Sequence, residues 1–118
     1  MSDSLSFSVT DGPGPVVVTV TGEIDTGTEQ EFRDGLTSVL SQGPLQLVLD
    51  LAPVSFMASG GVAVLIGLQH ALTVRGGSIV LAAPRPMVAR MLSLTGADQL
   101  IRVYAGVDEA VAGFGPVA

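Results

Sequence analysis

Cysteine is absent from this chain of 118 residues, and so is lysine. Without cysteine there is no disulfide, no thiolate nucleophile and no cysteine-bound metal, which suits a reducing compartment. Without lysine, five arginines face eleven acids, and the net charge is −6. Nucleic acid and anionic membrane surfaces both need clustered basic residues, so neither is expected as a partner. One histidine, His70, with scattered acids makes no ligand cluster, and no metal is expected. No glycine-rich loop followed by lysine is present to cradle a nucleotide, and no cofactor is expected. Long apolar runs are also missing. The longest, around Val62 to Leu68, is too short to span a bilayer and is flanked by glycines. Met1-Ser-Asp-Ser-Leu-Ser has neither a basic region nor an apolar run, so no signal peptide is expected and the cytoplasm is the expected location.

What the chain does have is apolar mass. Apolar residues make up 47% of it, enough for a core without staples. The length suits one domain, residues 1–118, with a core over roughly 4–114.

Leu5, Phe7 and Val9 alternate with Ser6, Ser8 and Thr10, the period of a half-buried strand. Gly12-Pro13-Gly14 is turn chemistry, and Val16, Val18 and Val20 open a second alternating strand. An antiparallel hairpin is expected. Thr26-Gly27-Thr28-Glu29 has the spacing of a capping box. Phe32, Leu36, Val39 and Leu40 then share a helical face, and Gly43-Pro44 ends it. Leu45 to Leu51 reads as a strand buried on both faces. Ser59 stands at the N-cap of a helix that runs to about Val74 and ends at Gly76-Gly77, and Ile79 to Ala83 is a further buried strand. Pro86 opens a helix with Val88, Met91 and Leu92 on its apolar face, closed by Gly96. Leu100 to Tyr104 reads as a last strand, and Val107 to Phe114 as a last helix with Asp108 and Glu109 in its first turn. The order β-β-α-β-α-β-α-β-α implies an α/β fold: a mixed β-sheet with an N-terminal antiparallel hairpin and about four helices. Both chain ends, the first few residues and Gly115 to Ala118, read as loose.

The segment from Asp50 to Leu65 carries the most chemistry. An apolar strand leads into a loop, the loop ends on Ser59, and Gly60-Gly61 precede an apolar helix. A hydroxyl is thereby put at a helix N-terminus, where partial positive charge gathers. Ser59 reads equally as a helix N-cap worth about 1 kcal/mol. Gly60 and Gly61 serve either tight packing or close approach of a partner. Met57 is the candidate for an exposed apolar contact, because a flexible thioether adapts to a partner groove. Asp25 reads as a turn or N-cap residue beside Thr26, and Asp50 is expected to bond local backbone N–H groups. Ser59 and His70 lie three helical turns apart, out of hydrogen-bond reach, and no Gly-x-Ser-x-Gly elbow exists, so hydrolase chemistry is disfavoured.

An ordered series of segments resembles the STAS domain family, in particular its stand-alone bacterial anti-sigma factor antagonists. The series runs through Gly22-Glu23-Ile24-Asp25, Leu47-Val-Leu-Asp50-Leu, Val54-Ser-Phe-Met-Ala-Ser59-Gly-Gly, Gly76-Gly77-Ser-Ile-Val-Leu, Met91-Leu-Ser-Leu-Thr-Gly96-Ala and Val107-Asp-Glu-Ala110. The resemblance implies a binding switch in transcription: the antagonist captures an anti-sigma factor of the histidine-kinase-like ATPase class, and a sigma factor is released. It further implies phosphorylation of Ser59 by that kinase, release of the modified antagonist and resetting by a serine phosphatase. Asp25, Thr26, Met57, Ala58, Ser59, Gly60 and Gly61 are the expected partner-binding face. The family's usual junction is Asp-Ser-Ser-Gly or Asp-Ser-Thr-Gly, whereas this chain reads Ala58-Ser59-Gly60-Gly61. Two other readings stand beside this one: an unphosphorylated STAS protein acting as constitutive binder or scaffold, and a small ligand-binding module or hydrolase using the same loop.

Overall fold

The computed structural model describes residues 4–10 and 14–114. Strand β1 (Ser6–Thr10) runs antiparallel to β2 (Val16–Ile24), with Phe7 opposite Val20 and Val9 opposite Val18. The expected hairpin is thus present. Gly12-Pro13 of its turn lies outside the described residues, as do residues 1–3 and Gly115 to Ala118, the ends read as loose. The chain continues through α1 (Glu29–Leu40), β3 (Gln46–Asp50), β4 (Val54–Met57), α2 (Ser59–Val74), β5 (Ser78–Ala82), α3 (Pro86–Leu94), β6 (Val103–Tyr104) and α4 (Val107–Ala112). A 3₁₀ turn (Ala97–Gln99) separates α3 from β6.

The main sheet has the order β1-β2-β3-β5-β6, antiparallel only at its first pair. This is the mixed α/β architecture expected. Alternation within each strand divides the apolar residues between two faces. Val18, Val20, Leu47, Leu49, Ile79 and Leu81 join one core with Phe32 and Leu36 of α1, Val62 and Leu65 of α2, and Val88 and Leu92 of α3. Val48, Val80 and Ala82 point the other way, into a smaller cluster with Ala110 of α4. Helices on both faces explain why Leu47-Val48-Leu49 is apolar without interruption, and all three are fully buried. Two side chains from the helices satisfy main chain that the sheet leaves open. Glu31 Oε1 accepts the Leu5 N–H (2.6 Å), and Gln69 Oε1 accepts the Ile79 N–H (2.7 Å).

Strand β4 departs from the sequence reading, which has loop between Leu51 and Ser59. Val54-Ser-Phe-Met is too short to establish a period, and Pro53 precedes it. It becomes a strand because the nine-residue β2 outruns β3. Val16–Thr19 of β2 pair with Leu47–Asp50 of β3, and Gly22–Ile24 then offer a free edge that β4 takes up in parallel. The register shifts between Gly22 and Glu23. Gly22 has φ of 131°, a backbone conformation that favours glycine, and its N–H donates to Pro53 O (3.2 Å).

The last strand is also shorter than expected. Leu100 and Ile101 both donate their N–H groups to Ala97 O, the first a 3₁₀ bond and the second an α-type bond, so the chain is still turning there. Ile101 goes to the core, and only Val103 and Tyr104 pair with Leu81 and Ala82.

Candidate partner-binding face

Strands β2 and β4 finish side by side. Ile24 pairs with Met57, and the ladder extends by one bond, the Ala58 N–H donating to Ile24 O (2.8 Å). The chain beyond β2 is the Asp25–Thr28 turn leading into α1, and the chain beyond Ala58 is α2. Asp25 and Ser59, 34 positions apart in the sequence, therefore follow neighbouring strand ends. The C-terminal ends of parallel strands form one rim of the sheet, and helices that follow such strands start there with the positive ends of their dipoles.

Ser59 is exposed on this rim. It is the first residue of α2, and the N-cap is Ala58, with extended φ and ψ of −81° and 165° and no side-chain cap. The N-cap role considered for Ser59 is thus not the one it has. The main chain instead supplies the entry into the helix, with Gly61 and Val62 donating to Ala58 O.

The turn after β2 also differs from the expected capping box. Helix α1 begins at Glu29 with Thr28, not Thr26, as N-cap, and no side chain caps it. Asp25 Oδ1 accepts N–H groups from Gly27 (2.9 Å) and Thr28 (3.1 Å), an Asx-type turn. Thr28 Oγ1 donates to Glu23 O (2.6 Å) and accepts the Asp25 N–H (3.0 Å). The local role weighed for Asp25 is therefore real, while Thr26 is exposed beside it. Thr28, only 5% exposed, was missed by sequence reasoning. Its signal was the second threonine of Thr-Gly-Thr-Glu. Replacing it with the isosteric valine leaves Glu23 O and the Asp25 N–H without that partner, and urea unfolding of Thr28→Val is expected to show a loss of about 2 kcal/mol.

Two residues expected on the face lie under it. Met57 is 1% exposed, not a surface contact: both ends of β4, Val54 and Met57, are buried in the core, while Ser55 is exposed. Gly61 is buried as well. A Cβ built on it would stand 2.6 Å from Ile24 Cγ2 and 3.1 Å from Met57 Cγ, so close packing of helix on strands accounts for this glycine. Ala58, Gly60 and Asp25 are half-buried, and with Ser59 and Thr26 they make up what is left of the expected set at the surface. Asp50 behaves as read: its Oδ1 accepts the Ala52 N–H (3.0 Å), and its Oδ2 accepts from Thr19 Oγ1 (3.2 Å).

Arg85 is a further residue that sequence reasoning missed. Its Nε donates to Ala52 O (2.8 Å) in the turn between β3 and β4, which brings a cation to the same rim. No sequence pattern marks a bond from an arginine to a main-chain carbonyl 33 residues away.

The STAS domain model matches residues 6–110. The chain belongs to the STAS domain family. It is 28% identical over 113 residues to the anti-sigma-F factor antagonist RsfB of Mycobacterium tuberculosis, covering 94% of this chain and 90% of that protein. It is 28% identical over 91 residues to an anti-sigma-B factor antagonist of Staphylococcus aureus, covering 77% of this chain and 84% of the relative. A crystal structure of an anti-sigma factor antagonist from Mycobacterium paratuberculosis superposes with a TM-score of 0.80 at 29% identity, covering 92% of each chain.

In this STAS domain His70 is exposed, eleven positions after Ser59 on α2, or about 16 Å along the helix axis. No serine–histidine pair forms. Among the described residues no helix is long and apolar enough to cross a membrane.

Proposed function

We propose that this STAS domain is a cytoplasmic anti-sigma factor antagonist, a regulator that acts by binding and not an enzyme. It captures an anti-sigma factor of the histidine-kinase-like ATPase class through the rim around Ser59, Asp25, Thr26, Ala58 and Gly60, and the sigma factor held by that partner goes free. One observation carries the reading: Ser59 is exposed at the first position of α2, on a fold shared with proteins named as anti-sigma factor antagonists. The same hydroxyl is the phosphoacceptor. Ser59 Oγ attacks the γ-phosphorus of kinase-bound ATP. The new O–P bond forms as the bond to ADP breaks, and the hydroxyl proton passes to a base on the kinase. The phosphate adds about −1.5 to −2 charge to the contact face, which opposes docking, and a serine phosphatase restores the binding form by hydrolysis.

A kinase assay tests this directly. The cognate anti-sigma factor is expected to transfer labelled phosphate to wild type and none to Ser59→Ala, while still binding both unmodified chains. Stable binding with no incorporation favours a second reading, a constitutive binder. That reading draws support from Ala58, which offers no carboxylate beside the hydroxyl. Failure to bind any anti-sigma factor would sink both.

A further inference from the structure

Gly60, the second residue of α2, faces Glu29, the first residue of α1. A Cβ built on Gly60 would fall 2.5 Å from Glu29 Cδ and closer still to Oε1. The carboxylate thus fills the space that any side chain at position 60 would need. Helix α2 has no acid in its own first turn and no capping side chain, and the Glu29 carboxylate from another helix lies against its second residue, near the helix end that favours negative charge.

We propose that Glu29 is a built-in counter-charge to the N-terminus of α2: it holds the first turn of that helix in the unmodified state, and a phosphate on Ser59 drives it off. The inference rests on the reading above that Ser59 receives a phosphate. Ser59 and Gly60 are consecutive, with Cα atoms about 3.8 Å apart. A dianion on one and the carboxylate resting on the other therefore sit within about one Debye length at physiological salt, roughly 8 Å. Both compete for one helix end, and the group with more charge takes it. Glu29 opens α1, so its departure transmits the modification to a second helix. Gly60 is what permits the arrangement, because a serine or threonine there collides with the carboxylate. A chain with either residue at this position has no room for such a resident anion.

The inference is tested without a kinase by a double-mutant cycle on thermal unfolding. The four chains are wild type, Ser59→Glu, Glu29→Gln and the double variant, each melted at low salt and near 1 M salt. Ser59→Glu is expected to leave the midpoint roughly 3 °C lower, relative to its parent, when Glu29 is present than when glutamine replaces it. That difference should shrink at high salt, where the Debye length is about 3 Å. Gly60→Ala, which evicts the carboxylate without changing charge, should act as a parent in the same way as Glu29→Gln. Equal effects of Ser59→Glu in all three parents overturn the inference. The two readings fail separately. Coupling without any phosphorylation of Ser59 keeps Glu29 as the anion held at this helix end and removes the switch, whereas phosphorylation without coupling does the reverse.

Discussion

A Ser59→Glu chain is expected to bind its anti-sigma factor roughly a hundredfold more weakly than wild type. The residue is exposed, at the first position of a helix, beside half-buried Ala58 and Gly60 that have almost no side chain. A partner that approaches this rim closely excludes water from whatever stands at position 59. Burying an unpaired carboxylate at such a contact costs about 2–5 kcal/mol, and a hundredfold corresponds to about 2.7 kcal/mol. The loss should be carried mainly by faster dissociation, since a charge desolvated at the contact destabilises the complex more than the encounter. Titration calorimetry reads the affinity, and circular dichroism confirms that the variant keeps its helix content. An affinity within about threefold of wild type would mean that negative charge at this position does not gate docking. Ser59→Ala is the control. It removes the acceptor oxygen without adding charge, and binding should be retained.

The neighbouring glycines are expected to respond with opposite signs. Gly61→Val should lower the unfolding free energy by about 3 kcal/mol. The first added carbon alone comes within 2.6 Å of Ile24 Cγ2 and 3.1 Å of Met57 Cγ, and both of those residues are essentially unexposed. Neither can retreat, because they are paired on adjacent strands under the helix. Relief requires α2 to lift off β2 and β4, which also moves Ser59. Weaker partner binding should therefore accompany the lost stability. Gly60→Ala meets only the end of the Glu29 side chain, which can swing into solvent. Alanine there gains up to about 1 kcal/mol in helix propensity and unfolded-state entropy, less a few tenths for the displaced charge. Urea unfolding of the two variants measures both effects. Similar losses at the two positions would contradict the packing described for this turn.

Much of the architecture was legible because each strand and helix carries its own period. Val18 and Val20 alternate with threonines, Phe32, Leu36 and Leu40 recur at helical spacing, and Pro86 stands at the first position of its helix. Such signals lie within a few residues of one another. Strand β4 gave no comparable signal, since Val54-Ser-Phe-Met acquires its partner only where β2 extends past β3. Met57 was misplaced for the same reason: in a loop it would face a partner, and in that strand it faces the core. Thr28-Glu29-Gln30-Glu31 repeats the spacing of Thr26-Gly27-Thr28-Glu29, so spacing does not separate the two threonines. The choice was made by Glu23 O, which is within reach of the Thr28 hydroxyl.

The residues by themselves determined the class of fold, the absence of thiol and lysine chemistry, and the placing of a serine where a helix begins. Those follow from composition and from patterns repeated every two residues or every three to four. Tertiary structure alone decided which side chains stand at the surface near that serine: Met57 and Gly61 were buried between helix and strands, and Glu29 settled on Gly60, while Arg85 came to the turn between β3 and β4. The reason is that exposure belongs to the space between elements. Separately patterned segments fix that space only when strand ends align and helices close over them.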